Sequence, residues 1–186
     1  MRASQPALLA AGRVIADMRD SMVAQWADSL GDRITAAPTI QRATVEREFR
    51  LLIDVLTHMV GPLRREVRAV WNRACEHYGR SASARGLAAG EVVEELQYLR
   101  ELLIRNLAPV LAAMRARQGM AIMLRLNRVL DRGVAVAVVG YTDALVATLF
   151  AQNGVPVPDT EHEPGEIDRQ LAALEAELAA VIVQPQ

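Results

Sequence analysis

Residues 133–151 read GVAVAVVGYTDALVATLFA, and Asp143 is the only charged residue among these 19. A stretch of this length and polarity is long enough for one membrane span. We favour a central helix that protein buries on most sides, because Asp143 and the two glycines weaken a lone span. The sequence therefore predicts a core helix and no membrane partner.

Small residues recur along this stretch at intervals of four, three, four, three and four, which is the spacing of one side of a helix. Little side-chain volume on that side lets a second helix approach closely. The contact is expected either inside one chain or between two copies of the chain. The seam consists of Gly133, Ala137, Gly140, Ala144, Ala147 and Ala151.

Helical periodicity also covers most of the remaining chain, with predicted helices at about 6–30, 39–60, 63–80, 89–114 and 119–152. Ala and Leu, which favour helices, supply much of the 52% hydrophobic content. No alternating run of strand length accompanies a hairpin turn signal. We therefore expect an all-α fold, a helical bundle or a globin-like domain, of about five long helices and a C-terminal amphipathic helix.

The formal net charge of −1 conceals an uneven distribution, because all 21 basic residues are arginines and only one of them follows residue 150. Residues 1–150 carry a net charge of +5 and residues 151–186 carry −6. The near-neutral total argues against a general nucleic-acid binder. The first residues lack the pattern of a signal peptide, so we expect a cytoplasmic protein.

The tail after the Pro/Gly-rich segment 153–165 predicts a short acidic helix at 166–183. Its apolar residues step by four, three and four, as in a heptad seam: Ile167, Leu171, Leu174 and Leu178. A helix this short needs a partner surface. Two interpretations stay open: a coiled coil that dimerises and passes a signal, and a helix that folds back on its own body.

Candidates for chemistry are few. His58, His77 and His162 lie far apart in sequence and lack metal-ligand spacing to one another or to the single cysteine, Cys75. The acidic and basic residues of the 89–114 helix, Glu95 among them, are interpreted as a solvated charged face. Trp26, Trp71 and Tyr78 are expected in the core. We expect no catalysis, no metal and no cofactor.

Three segments resemble a known family: WNRACEHY at 71–78, Ala-Arg-Gly at 84–86, and VVEELQYLRELL at 92–103. They are similar to the N-terminal helical domain of RsbR-type stress sensors, the RsbT co-antagonists, which also precedes kinase modules in bacterial sensor histidine kinases. The family tends to have an Arg-Gly connector, then a Glu and, five residues later, an Arg preceded by Leu. The positions that match the resemblance are Trp71, Tyr78, Arg85, Gly86, Glu95, Leu99 and Arg100.

The resemblance implies a sensory domain that is commonly dimeric and non-enzymatic and whose last helix acts on an output module. No STAS-like or kinase module follows in this sequence, so two expectations stay open: the output passes through a partner such as a kinase or an anti-sigma-type protein, or the sequence is a fragment of a longer sensor. The expected organisation is a sensory domain at 1–152, a linker at 153–165 and an acidic helix at 166–183. An alternative is a helical protein that binds haem or another tetrapyrrole through His58 or His77.

Overall fold

The computed structural model describes residues 3–31, 40–154 and 165–183. The expected all-α fold is confirmed: these residues form helices, and no strand occurs in these three ranges. The helices are α1 (Gln5–Asp17), α2 (Arg19–Leu30), α3 (Arg42–Val60), α4 (Arg68–Ala84), α5 (Ala89–Ala112), α6 (Ala116–Gln152) and α7 (Glu166–Val183). Most of the 153–165 linker and His162 lie outside the described residues.

Two helix boundaries differ from the sequence-based expectation. The first predicted helix is divided at Met18, where the backbone turns between α1 and α2. The third predicted helix continues to Ala84, so the connector to α5 is much shorter than expected. Gly86, with a φ of +81°, ends it, and the amide of Leu87 donates to the carbonyl of Ala82. That left-handed conformation favours glycine at the C-terminal end of a helix.

The core has an aromatic centre although only 4% of the residues are aromatic. Trp26 stacks on Phe49 with ring centroids 3.7 Å apart, and Tyr78 tilts against both rings. Trp71 is also buried, and its indole N–H donates to the carbonyl of Val129 at 3.2 Å. The expectation that Trp26, Trp71 and Tyr78 belong to the core is confirmed.

Helices α4 and α6 approach each other until their backbones touch. A Cβ atom at Gly79 would overlap the carbonyl of Ala137, and one at Gly140 would overlap the carbonyl of Glu76. A Cβ atom at Gly133 would lie 2.6 Å from the ring of Trp71. The first half of the small-residue seam therefore forms a contact within one chain, in which the backbones of α4 and α6 touch at Gly79 and Gly140.

Candidate functional site

A buried ion pair joins the end of α4 to α5. The Arg85 guanidinium donates to both carboxylate oxygens of Glu95, at 3.3 and 3.0 Å, and neither side chain is exposed to solvent. The hydroxyl of Tyr78 also donates to Glu95, and Arg85 lies over the Tyr78 ring. Burial, and then the charge of Glu95, raise the pKa of Tyr78, so the phenol keeps the proton that it donates.

The placement of Glu95 corrects one expectation. The interpretation of Glu95 as part of a solvated face is wrong, because its carboxylate lies in the core. Arg100, five residues after Glu95, binds Asp131 of α6 at 2.5 Å and does not pair with Glu95. Among the positions of the resemblance, Arg85, Glu95 and Tyr78 come together, Gly86 provides the turn beside them, and Leu99 packs in the core.

A second buried cluster lies at the α3–α4 contact. Glu48 of α3 accepts a hydrogen bond from Ser81 at 2.9 Å and lies 3.0 Å from Nδ1 of His77. The other ring nitrogen of His77, Nε2, lies 2.9 Å from the carbonyl oxygen of Ile167 in the first turn of α7. Both nitrogens of His77 therefore lie near acceptor oxygens, and Nδ1 forms a close ion pair with Glu48 when the ring is protonated.

The charges of the two buried clusters also favour the protonated form of His77. Burial opposes the charge of His77, but the hydrogen bond and charge of Glu48, with the Ile167 carbonyl, outweigh burial and raise its pKa above the ordinary value. Two carboxylates, Glu48 and Glu95, are then balanced by one guanidinium, Arg85, and one imidazolium. The buried group is neutral when His77 is protonated.

Helix α7 folds back on α3 and α4. Its apolar residues Leu171, Leu174 and Leu178 are buried, and Ile167 is partly buried against the same core. In the described part of the chain, α7 packs on these two helices and not on α6. The described structure thus matches the folded-back interpretation of this helix.

Ion pairs flank the apolar ridge of α7. Arg47 of α3 binds Asp168 at 3.2 Å and Glu175 at 2.8 Å. Arg73 of α4 binds Glu177 on the other flank. Beside this contact, an open groove between α4 and α7 is lined by Arg73, Glu76, His77, Arg80, Leu174 and Glu177. The negative tail and the positive body meet here.

The far half of α6 is exposed, which corrects the expectation for residues 133–151. The helix is long and apolar enough to span a membrane by length and composition, but only 17% of its most apolar window is buried. The prediction that protein buries this stretch on most sides is wrong, because only the first part of the seam is covered by α4. The exposed apolar residues are Val139, Leu145, Val146, Leu149 and Phe150, with exposed fractions between 40% and 56%.

The two ends of the seam differ accordingly. Gly133, Ala137 and Gly140 are buried, whereas Ala144 and Ala147 are only partly buried. Tyr141 marks the transition, because its hydroxyl donates to the carbonyl of Leu87 at 2.8 Å. Beyond it, α6 continues for 11 residues, 142–152, or about 16 Å at 1.5 Å per residue. We call Val139, Val146, Leu149 and Phe150 the α6 apolar face.

The alternative of a metal or haem site depends on His58 and His77. No group of three or more His, Cys, Asp or Glu residues that could hold a metal ion occurs in the described ranges. His77 has both ring nitrogens engaged, and His58 is half-buried with its pKa lowered by burial. Burial also raises the pKa of Cys75, which keeps it as an unreactive thiol.

Sequence reasoning missed Glu48, Ser81 and Arg47. Glu48 interrupts a mostly apolar face of α3, and that interruption is the signal that could have identified it. Ser81 lies four residues from both His77 and Arg85, on the same side of the chain segment. Arg47 lies one residue before Glu48 in a helix rich in arginine, so nothing local distinguishes it. Its role depends on α7, which is more than 100 residues away.

Comparisons with known proteins add no further assignment. No protein-family model, no curated protein and no solved structure matches this chain.

Proposed function

We propose that this chain is a non-enzymatic signal-transduction domain that forms a homodimer and relays a conformational change to a partner protein. The observation that carries the proposal is the α6 apolar face, which no other part of residues 3–31, 40–154 and 165–183 covers. Exposed apolar patches of this kind mark interaction sites. The resemblance to bacterial stress sensors supports the sensory role, a cytoplasmic location, and a kinase or an anti-sigma-type protein as partner.

A second copy of the chain is the occupant that fits this face best. Val139, Val146 and Phe150 step by seven and four, which is the spacing of a helix-pairing seam. Asp143 lies on the same stripe, four residues after Val139 and three before Val146, and is exposed. Two-fold symmetry brings identical patches together, and the apolar residues of this stripe are complementary to themselves, with Asp143 as the one charge that a second copy has to accommodate.

A lipid bilayer fits less well, because α4 holds α6 up to Tyr141. The projecting part is about 16 Å long, whereas the hydrocarbon core of a bilayer is about 30 Å thick. Extending the span toward residue 133 would pull Gly140 away from the backbone of Glu76 and Gly133 away from the Trp71 ring. Protein association requires no such disruption.

Helix α4 connects the two ends of the proposed relay. It carries His77, which contacts α7, and Gly79, which touches α6. A ligand or partner that moves α7 would change the surroundings of α4, and α6 would follow because its backbone rests directly on α4. Two packings of the α4–α6 seam would then present the α6 apolar face differently to the second copy.

The absence of catalysis is part of the proposal. The two buried carboxylates, Glu48 and Glu95, bind side chains of the core, as structural groups do, and neither is directed into a cleft. Their partners Ser81 and Arg85 are themselves buried. This arrangement supports a role in holding three helices together.

Light scattering on the purified chain tests the dimer. We expect a molar mass twice the 20.3 kDa of one chain, and a shift to the monomer for Phe150→Asp. Leu124→Asp is the matched control, because Leu124 is similarly exposed on the other half of α6. A monomeric native chain, or an equal effect of both substitutions, would remove the basis for the proposal. Vesicle binding by the native chain would indicate a lipid partner instead.

A further inference from the structure

We propose that the surface of α3 and α4 beneath α7 is a binding site for an acidic amphipathic helix of a partner protein, and that α7 fills this site in cis. We call this surface the α3–α4 site; its flanks are Arg47 and Arg73 and its floor contacts Leu171, Leu174 and Leu178. The inference deepens the proposed function, on which it rests for the existence of a partner.

The chemistry of the occupant follows from α7 itself. Its apolar ridge steps by four, three and four from Ile167 to Leu178. Asp168 and Glu175 lie about 80° to one side of the ridge at 100° per residue, and Glu177 lies about 90° to the other side. Each flank meets one arginine of the body, Arg47 on α3 and Arg73 on α4. The site therefore recognises two acidic flanks around an apolar ridge.

Helix α7 is held in a way that permits exchange. It has 18 residues, and an isolated helix of that length is only marginally stable in water. The side chains of its ion pairs are between 37% and 51% exposed, so salt screens them. Such exposed pairs contribute little to stability. What holds α7 is the ridge, the polar contacts of its first turn, and its covalent tether.

The polar contacts of the first turn fix the register of the occupant. Thr44 donates to Asp168 at 3.0 Å, and His77 donates to the carbonyl of Ile167. A backbone carbonyl is available on any helix, so His77 would hold a partner helix in the same way. The aspartate after it is the side-chain determinant that a partner must reproduce.

A substitution that displaces α7 from the α3–α4 site allows binding to that site to be measured in the full chain. The variant Leu174→Asp places a charge on the ridge and leaves every residue of α3 and α4 unchanged. The probe is a fluorescent peptide of residues 165–183, followed by anisotropy. We expect saturable binding to the variant that weakens with added salt, and at least about tenfold weaker binding to the native chain, because the tether gives α7 an effective concentration of about 1 mM.

Two further variants locate the binding. Adding Arg47→Ala and Arg73→Ala to Leu174→Asp should weaken it by about tenfold or more, whereas adding Arg105→Ala, an exposed arginine of α5, should leave it unchanged. Circular dichroism verifies that each variant is folded. If Leu174→Asp unfolds the body, the milder charge reversal Glu175→Arg, which repels Arg47, replaces it.

The inference is overturned if the peptide does not bind a folded variant, or if it binds the native chain equally well. It is also overturned if excess native chain competes with the peptide, because α7 would then exchange between copies and a second copy would be the occupant. The experiment measures binding at α3 and α4 and not the association of α6. Failure here therefore leaves the dimer intact, and a monomeric chain leaves this site intact.

Discussion

Replacing Glu95 by Leu should be among the most damaging single substitutions in this protein. The change leaves the Arg85 guanidinium without its carboxylate in a place where its side chain has no exposed surface. Removing one partner of a buried ion pair costs about 3–5 kcal/mol. Total stabilities of domains are about 5–15 kcal/mol, so the variant would lose a large share of its stability.

Removing the whole cluster should restore most of that stability. The triple variant Arg85→Met, Tyr78→Phe, Glu95→Leu deletes the charges together with the hydroxyl that donates to Glu95, and leaves no buried polar group unpaired. Replacement of a buried ion pair by apolar residues of similar volume is often neutral or stabilising. We expect its free energy of unfolding within about 1 kcal/mol of the native value, or above it.

Urea unfolding followed by far-ultraviolet circular dichroism measures these differences. Glu101→Leu is the control, because Glu101 forms an exposed pair with Arg105 and its loss should change the free energy by less than about 0.5 kcal/mol. The reasoning is refuted if Glu95→Leu costs less than about 1 kcal/mol, or if the triple variant is as unstable as the single one.

Two more predictions follow from the clusters on α4. Because the pKa of His77 is raised in the folded chain, the stability that its charge contributes is fully present below its ordinary pKa of 6.5 and is lost as the pH rises through the folded value. The groups that face it are Glu48, the Ile167 carbonyl and Arg80. The melting temperature of the native chain should therefore fall more than that of His77→Gln between neutral and alkaline pH. Equal falls in the two melting temperatures would contradict this. Gly79→Ala should lower the free energy of unfolding by about 1–3 kcal/mol, because its Cβ meets backbone that cannot move aside. Gly90→Ala, with open space around it in the first turn of α5, should raise it by up to about 1 kcal/mol, and similar urea midpoints for the two variants would contradict the close approach of α4 and α6.

The periodic part of the sequence predicts most of the fold. Apolar spacing gives α7 at the bounds that the structure has, and α3, α5 and α6 within a few residues. No glycine or proline lies at Met18 to indicate the division between α1 and α2. Each of these two helices packs on α3 and α5, and this packing sets them apart. Such a break depends on tertiary contacts and is invisible in local sequence.

The site is less predictable, because its residues are joined across the chain. Glu95 has the neighbours of a solvated face, and only the fold brings Arg85 and Tyr78 to it. The exposure of the second half of α6 could not be predicted either, in this case because the stretch is apolar. A stretch as apolar as 133–151 has the composition of a core helix, and composition does not tell whether the covering surface belongs to the same chain or to another.

The most direct test of the proposed dimer, on which the relay depends, is a distance between the α6 helices of two copies, measured by pulsed electron paramagnetic resonance. A spin label at Leu145→Cys lies at the edge of the α6 apolar face, and the buried Cys75 is inaccessible to the label. Paired helices lie about 8–10 Å apart, so the account predicts an inter-chain distance below about 30 Å. A label at Met120→Cys, about 38 Å along the helix from Leu145, should report a distance no shorter than the one at position 145. No inter-chain coupling at position 145, or a short distance only at position 120, would contradict dimerisation through this face.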